Sequence, residues 1–177
     1  MSTRNGEPVD NEAAVLETIE MLDRMVEPAA APTSLRASLI DSLSTKPKFL
    51  GYTNRLARIF DLTIESTRTA LSVLSDRPPW VDVPGGGKFF PVAGGPRVHG
   101  AQVGFVEFGA GSTFPRHRHQ GLEVQFVLTG RLIETDGRDY ECGDLLVKDE
   151  GSEHAFSIGA EAPCICAVVL YTGIEFV

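Results

Sequence analysis

The run from Gly111 to Gly130, GSTFPRHRHQGLEVQFVLTG, constrains this chain more than any other stretch. It carries two histidines two positions apart, His117 and His119, then the carboxylate Glu123, with a glycine at each end. Side chains at i and i+2 of a strand share a face, so His117 and His119 project together. Gln120-Gly121 offers a bend that turns Glu123 back toward the same point. Beyond it Glu123 and Gln125 share one face, and Val124, Phe126 and Leu128 take the other. The ligand-bearing faces are expected to converge inside a sheet that curls on itself. A third histidine, His154, follows Gly151 in a second run opened by Gly143 and comes from a separate strand.

Imidazole and carboxylate are the usual nitrogen and oxygen ligands of divalent transition metals. Three of the four histidines thus stand at ligand spacing, and His99 stands apart with no assigned role. The expected centre is one divalent metal ion held by His117, His119, Glu123 and His154. Zinc would take such a set as a closed tetrahedral site or leave one position to water, whereas manganese, iron or nickel would keep two positions open. Gln125 is placed to orient a bound water.

The glycine-bracketed run resembles the first motif of the cupin superfamily, G-x5-H-x-H-x3-E-x6-G, with Gly111, His117, His119, Glu123 and Gly130 at every fixed position. Gly143, Gly151 and His154 match the second motif, while Asp149 stands where that motif has proline and Ile158 where it often has asparagine. Within the superfamily, FPRHRHQG, then GSEH closing on His154, then Cys164 and Cys166, are similar to the metal-bearing domain of ChrR-type anti-sigma factors. That resemblance implies a cupin β-barrel, favours zinc, and implies a sigma-factor partner held by a small helical domain. Residues 1–80 contain neither His nor Cys, so the family's amino-terminal zinc site has no counterpart here. Cupin enzymes offer the alternative of a small metal-dependent dioxygenase or isomerase holding iron, manganese or nickel. Cupins also often dimerise, which makes a homodimer an expectation.

The expected fold is mainly β, a cupin barrel over residues 80–177 preceded by a helical domain over residues 12–78 and a polar tail, residues 1–11. Val15, Ile19, Leu22 and Val26 recur at helical spacing, and Leu35, Leu39 and Leu43 mark a second helix. A third is expected at about 48–60, burying Phe49, Tyr52, Leu56 and Phe60. A fourth, over 64–74, starts at Thr63. Strands are expected at 88–92, 98–108, 122–129, 131–134, 144–148, 153–157 and 164–171, with a hairpin turn at Asp136-Gly137.

The formal charge of -8 argues against a general affinity for nucleic acid or for an anionic membrane surface. Leu56–Leu71 has the cadence of a helix-turn-helix, but its second helix offers only Arg68 as a base, beside Glu65, too little for phosphate and base contacts. No signal-peptide pattern or membrane-length apolar run stands out, and three cysteines make an odd set for a disulfide framework, so a cytoplasmic setting is expected. Cys164 and Cys166 share a strand face and are candidates for redox sensing or, more simply, small buried hydrophobes. Arg116 and Arg118 alternate with the histidines and face away from the site.

Overall fold

A computed structural model describes residues 48–177, which lie in one compact unit beginning at Lys46. The tail and the first two expected helices lie outside the described residues. Among the described residues no helix is long and apolar enough to cross a membrane.

A 3-10 turn, Leu50–Tyr52, leads directly into helix α1, Thr53–Ile59, where one continuous helix was expected. Helix α2 runs Ile64–Asp76. It begins where the sequence places it because the Thr63 hydroxyl accepts the Ser66 N–H at 3.1 Å, satisfying one of the first-turn donors. The pair buries Phe49, Leu56, Phe60, Leu71 and Leu74.

Eleven strands follow: β1 Val81–Val83, β2 Gly87–Pro91, β3 Ala101–Phe108, β4 Thr113–His119, β5 Glu123–Thr129, β6 Leu132–Glu134, β7 Asp139–Tyr140, β8 Leu145–Lys148, β9 Glu153–Ile158, β10 Cys164–Tyr171 and β11 Ile174–Phe176. They pair antiparallel in two sheets, ordered β1-β2-β3-β10-β5-β8 and β11-β4-β9-β6-β7. The expected strand from residue 98 starts instead at Ala101, because Pro96–Val98 forms a 3-10 turn with proline at its first position. The Asp136-Gly137 turn joins β6 to β7 with Gly137 at φ +89°.

Alternation along the central strands produces two cores. The outward side chains Phe105, Phe126, Leu128, Ala167 and Val169 pack with Phe60, Leu56 and Leu71 of the helical segment. The inward side chains Val127, Cys164, Cys166 and Val168 pack with Phe108, Phe114, Phe156 and others inside the barrel. Fully burying a Leu or Phe stabilises by about 1.5–3 kcal/mol, so the outer cluster holds the helices firmly on the six-stranded sheet. Two glycines of the histidine-bearing run are fixed by space. A Cβ on Gly121 would lie 2.7 Å from the Tyr171 carbonyl oxygen. One on Gly130, at φ +73°, would lie 2.6 Å from that of Pro163.

Candidate metal centre

Strand β4 carries Phe114, His117 and His119 inward, although the first two are three residues apart. The pairing of β4 with β9 slips between Phe114 and His117, which resets the alternation. Pro115, with no N–H to give a ladder, lies in that slip. On the far side of the slip His117 lies directly opposite His154 of β9. The three rings stand face to edge or tilted, with centroids 4.4 Å apart for His117 and His154, 4.9 Å for His117 and His119, and 5.0 Å for His119 and His154. Each offers a ring nitrogen, and these nitrogens lie within 4.8 Å of one another.

Hydrogen bonds prepare two of the rings. The His117 Nδ1–H donates to the Pro115 carbonyl at 2.8 Å, and the His154 Nδ1–H donates to Glu134 Oε1 at 2.6 Å. A carbonyl and a carboxylate only accept, so the proton sits on Nδ1 and the lone pair on Nε2 in both rings. His154 Nε2 has no partner, and neither ring nitrogen of His119 has one. Unpaired buried polar atoms each cost about 1–3 kcal/mol. A cation among the three rings would give those lone pairs a partner, so the donor set fits a divalent transition metal.

Glu123 comes close without joining the nitrogen cluster. Its Oε2 is buried and unbonded, 3.5 Å from His119 Nδ1, and its Oε1 accepts the Gln125 amide N–H at 2.9 Å. Burial pushes its carboxyl up to about 7, a rise that the Gln125 hydrogen bond and Lys148 only partly offset. Burial is also the leading cause that brings His119 and His154 down to about 4 and lowers His117. For His119 the other two rings and Lys148 add to the effect. The rings are therefore neutral and able to donate lone pairs near neutral pH.

Two buried charges beneath the histidines escaped the sequence reading. Glu134 ends β6 on the parity of Leu132, and Lys148 ends β8 on the parity of Leu146. Lys148 Nζ lies 2.5 Å from Glu134 Oε1, with both side chains buried, and Arg138 reaches Glu134 Oε2 at 3.0 Å from the surface. Lys148 also pairs across strands with Glu123. The signal was a charged residue on the core face of a short strand, which periodicity alone marks as a residue out of place.

The remaining candidates fall where alternation puts them. Gln125 is buried, with its Oε1 unpartnered. Cys164 and Cys166 are buried in the barrel interior with their sulfurs 3.7 Å apart, and the hydrogen bond between them, with burial, raises the Cys166 thiol. Arg116 and Arg118 lie on the outer surface and both bond Glu153. Beside the histidines a cavity of about 310 Å³ is walled mostly by aromatic and aliphatic side chains, with His117, Glu123 and Gln125 among its few polar residues.

Comparison with known proteins agrees with this architecture. A family model described as the ChrR Cupin-like domain matches residues 69–172. A Cereibacter sphaeroides protein provisionally named dimethylsulfoniopropionate lyase DddL is 32% identical over 74 residues, 41% of this chain and 32% of the relative. The alignment thus spans about a third of that relative's length. A chain in the crystal structure of Rhodobacter sphaeroides SigE in complex with the anti-sigma ChrR superposes with a TM-score of 0.50 at 20% identity, covering 90% of this chain and 78% of that one. An acetylacetone dioxygenase from Acinetobacter johnsonii gives a TM-score of 0.46 at 17% identity, covering 55% of this chain and 71% of that one.

Proposed function

The chain belongs to the ChrR cupin-like domain family, and from that premise we propose that it is a metal-dependent regulator whose helical amino-terminal segment engages a sigma factor. The observation that carries this reading is the set of three buried imidazoles with converging nitrogens, those of His119 and the Nε2 of His154 unpartnered, in a barrel whose outer face holds the helices. His117, His119 and His154 would hold the ion, with the free Glu123 Oε2 as fourth ligand. Zinc fits the family and a closed donor set. A bound ion would supply a fixed positive charge and a Lewis-acidic centre at the cavity.

The chain's own residues do the rest. Pro115 and Glu134 hold two rings in the tautomer that presents Nε2. Lys148 and Arg138 lie against Glu134, whose Oε1 accepts from His154. Strand β5 links site and helices: Glu123 and Gln125 face inward, while Phe126 faces outward against Tyr52, with ring centroids 5.2 Å apart, and lies under the Arg55 guanidinium at 4.5 Å. Arg55 also donates to the Gly143 carbonyl at 2.8 Å. A change in how Glu123 is held therefore has a short path to the helical segment, through its hydrogen bond with Gln125 and the adjacent Phe126.

The test is co-purification of the tagged full chain with metal and after chelation. Recovery of a sigma factor, identified by mass spectrometry, in a metal-dependent amount supports the reading. Recovery of none in either state contradicts it. A second reading, a small metal-dependent dioxygenase or isomerase, has the cavity beside His117 in its favour. Oxygen uptake or isomer formation by the metal-loaded protein would establish it in place of the regulator.

A further inference from the structure

Lys148 places an ammonium group in the buried interior of the barrel, where a charge is costly unless it is paired. It ends β8, as the cross-strand partner of Glu123. Its Nζ lies 2.5 Å from Glu134 Oε1, and the same oxygen accepts from His154 Nδ1 at 2.6 Å. Two contacts of 2.5 and 2.6 Å on one oxygen leave Nζ at most 5.1 Å from that ring nitrogen. The charge reaches the whole cluster. Burial chiefly, with Lys148 among the further causes, pulls His117, His119 and His154 below the ordinary imidazole range. A charge that disfavours a proton on those rings also disfavours a metal ion among them, and a doubly charged ion feels it twice as strongly.

Pairing with Glu134 does not by itself account for the lysine. Glu134 already has a cation at its other oxygen, Arg138, 3.0 Å from Oε2 and 59% exposed. A surface guanidinium keeps most of its hydration, whereas Lys148 is taken out of water. Lys148 is thus a second cation on one carboxylate, and it differs from Arg138 by its place beside the metal ligands. The two members of the buried pair oppose each other: the Glu134 carboxylate draws a cation to the rings, and the Lys148 ammonium repels it. We infer that Lys148 sets the metal affinity of the site, holding it below what the three imidazoles and Glu123 would give with Glu134 alone behind them. The inference rests on the metal-dependent regulator reading, to which it adds the residue that fixes the metal concentration at which the site fills. A site that releases its ion is served by such a charge, and a site that only holds its ion is not.

Zinc affinity of the full chain is measured by competition with a fluorescent chelator, for the parent, Lys148→Met, Glu134→Gln and the double variant. Lys148→Met keeps an unbranched side chain without the charge, and it binds zinc about tenfold or more tightly than the parent. Loss of a merely structural partner would loosen the ligands and weaken binding, so the sign of the change separates the two roles. The same substitution made on the Glu134→Gln background also tightens binding about tenfold or more. There no buried carboxylate loses its partner, so this second comparison carries the test if the single variant fails to fold. Equal or weaker binding after Lys148→Met, in a folded chain of either background, overturns the inference and leaves the metal reading intact where the parent holds zinc. Zinc held by neither the parent nor any variant sinks the metal reading and this inference with it.

Discussion

Glu134 illustrates how one side chain can serve stability and chemistry together. It accepts from His154, faces Lys148 at 2.5 Å and is 3% exposed. Removing one partner of a buried pair leaves the other charge uncompensated, which costs about 3–5 kcal/mol. Glu134→Gln and Lys148→Met should each lower stability by about 3 kcal/mol in chemical denaturation, and the double change should cost clearly less than their sum. Strict additivity would show that the two do not interact. The histidines and Glu123 set the pH response of the metal-free protein. His119 and His154 titrate at about 4 folded and 6.5 ordinarily, so the unfolded chain binds protons first, and the stability they confer is complete above pH 6.5 and lost as pH falls toward 4. Glu123 runs the other way: about 7 folded against 4.5, it costs stability as pH rises from 4.5 to 7. Two imidazoles outweigh one carboxyl, so the metal-free Tm should fall on acidification from 6.5 to 4. Bound metal, which favours neutral rings and an ionised carboxylate, should remove the loss that Glu123 causes toward neutrality. A metal-free Tm flat between pH 6.5 and 4 would contradict this assignment. The inward residues His117, His119, Glu123 and His154 were legible because spacing on a strand maps directly to face. Glu134 and Lys148 were not, because hydrophobic periodicity has no place for a charge that is paired across strands far apart in sequence.

At the level of elements, long strands and capped helices were legible and short pairings were not. Strand β10 shows its full apolar length in the sequence, and α2 begins at the expected cap. Strands β1, β7 and β11, of two or three residues each, carry too few side chains for a period and exist through their neighbours' hydrogen bonds. The slip in β4 was hidden too, since only pairing with β9 reveals that Phe114 and His117 share a face. Thr63→Ala should destabilise by about 1 kcal/mol through loss of the α2 cap, read as a shift in denaturation midpoint without change in slope. Phe126, fully buried between β5 and the helices, is the stronger test of their attachment. Phe126→Ala should cost about 3–5 kcal/mol, and a loss under 1 kcal/mol would mean that the helical segment does not depend on the sheet.

For the molecule as a whole, two cores share one sheet. The inner one surrounds the histidines, and the outer one fastens the helical segment. The two glycine-bracketed runs and the many short strands were enough to indicate a mainly β cupin fold, but how the helices after residue 48 share the sheet's core required coordinates, because strand alternation does not say what covers the outer face. The account depends on one ion uniting side chains from β4, β5 and β9. Metal analysis of the purified full chain, alongside His117→Ala and His154→Ala, tests that most directly. The account predicts about one transition-metal ion per chain in the parent, with content or affinity reduced at least about tenfold in each variant. A parent chain free of metal, or variants that retain it undiminished, would contradict it.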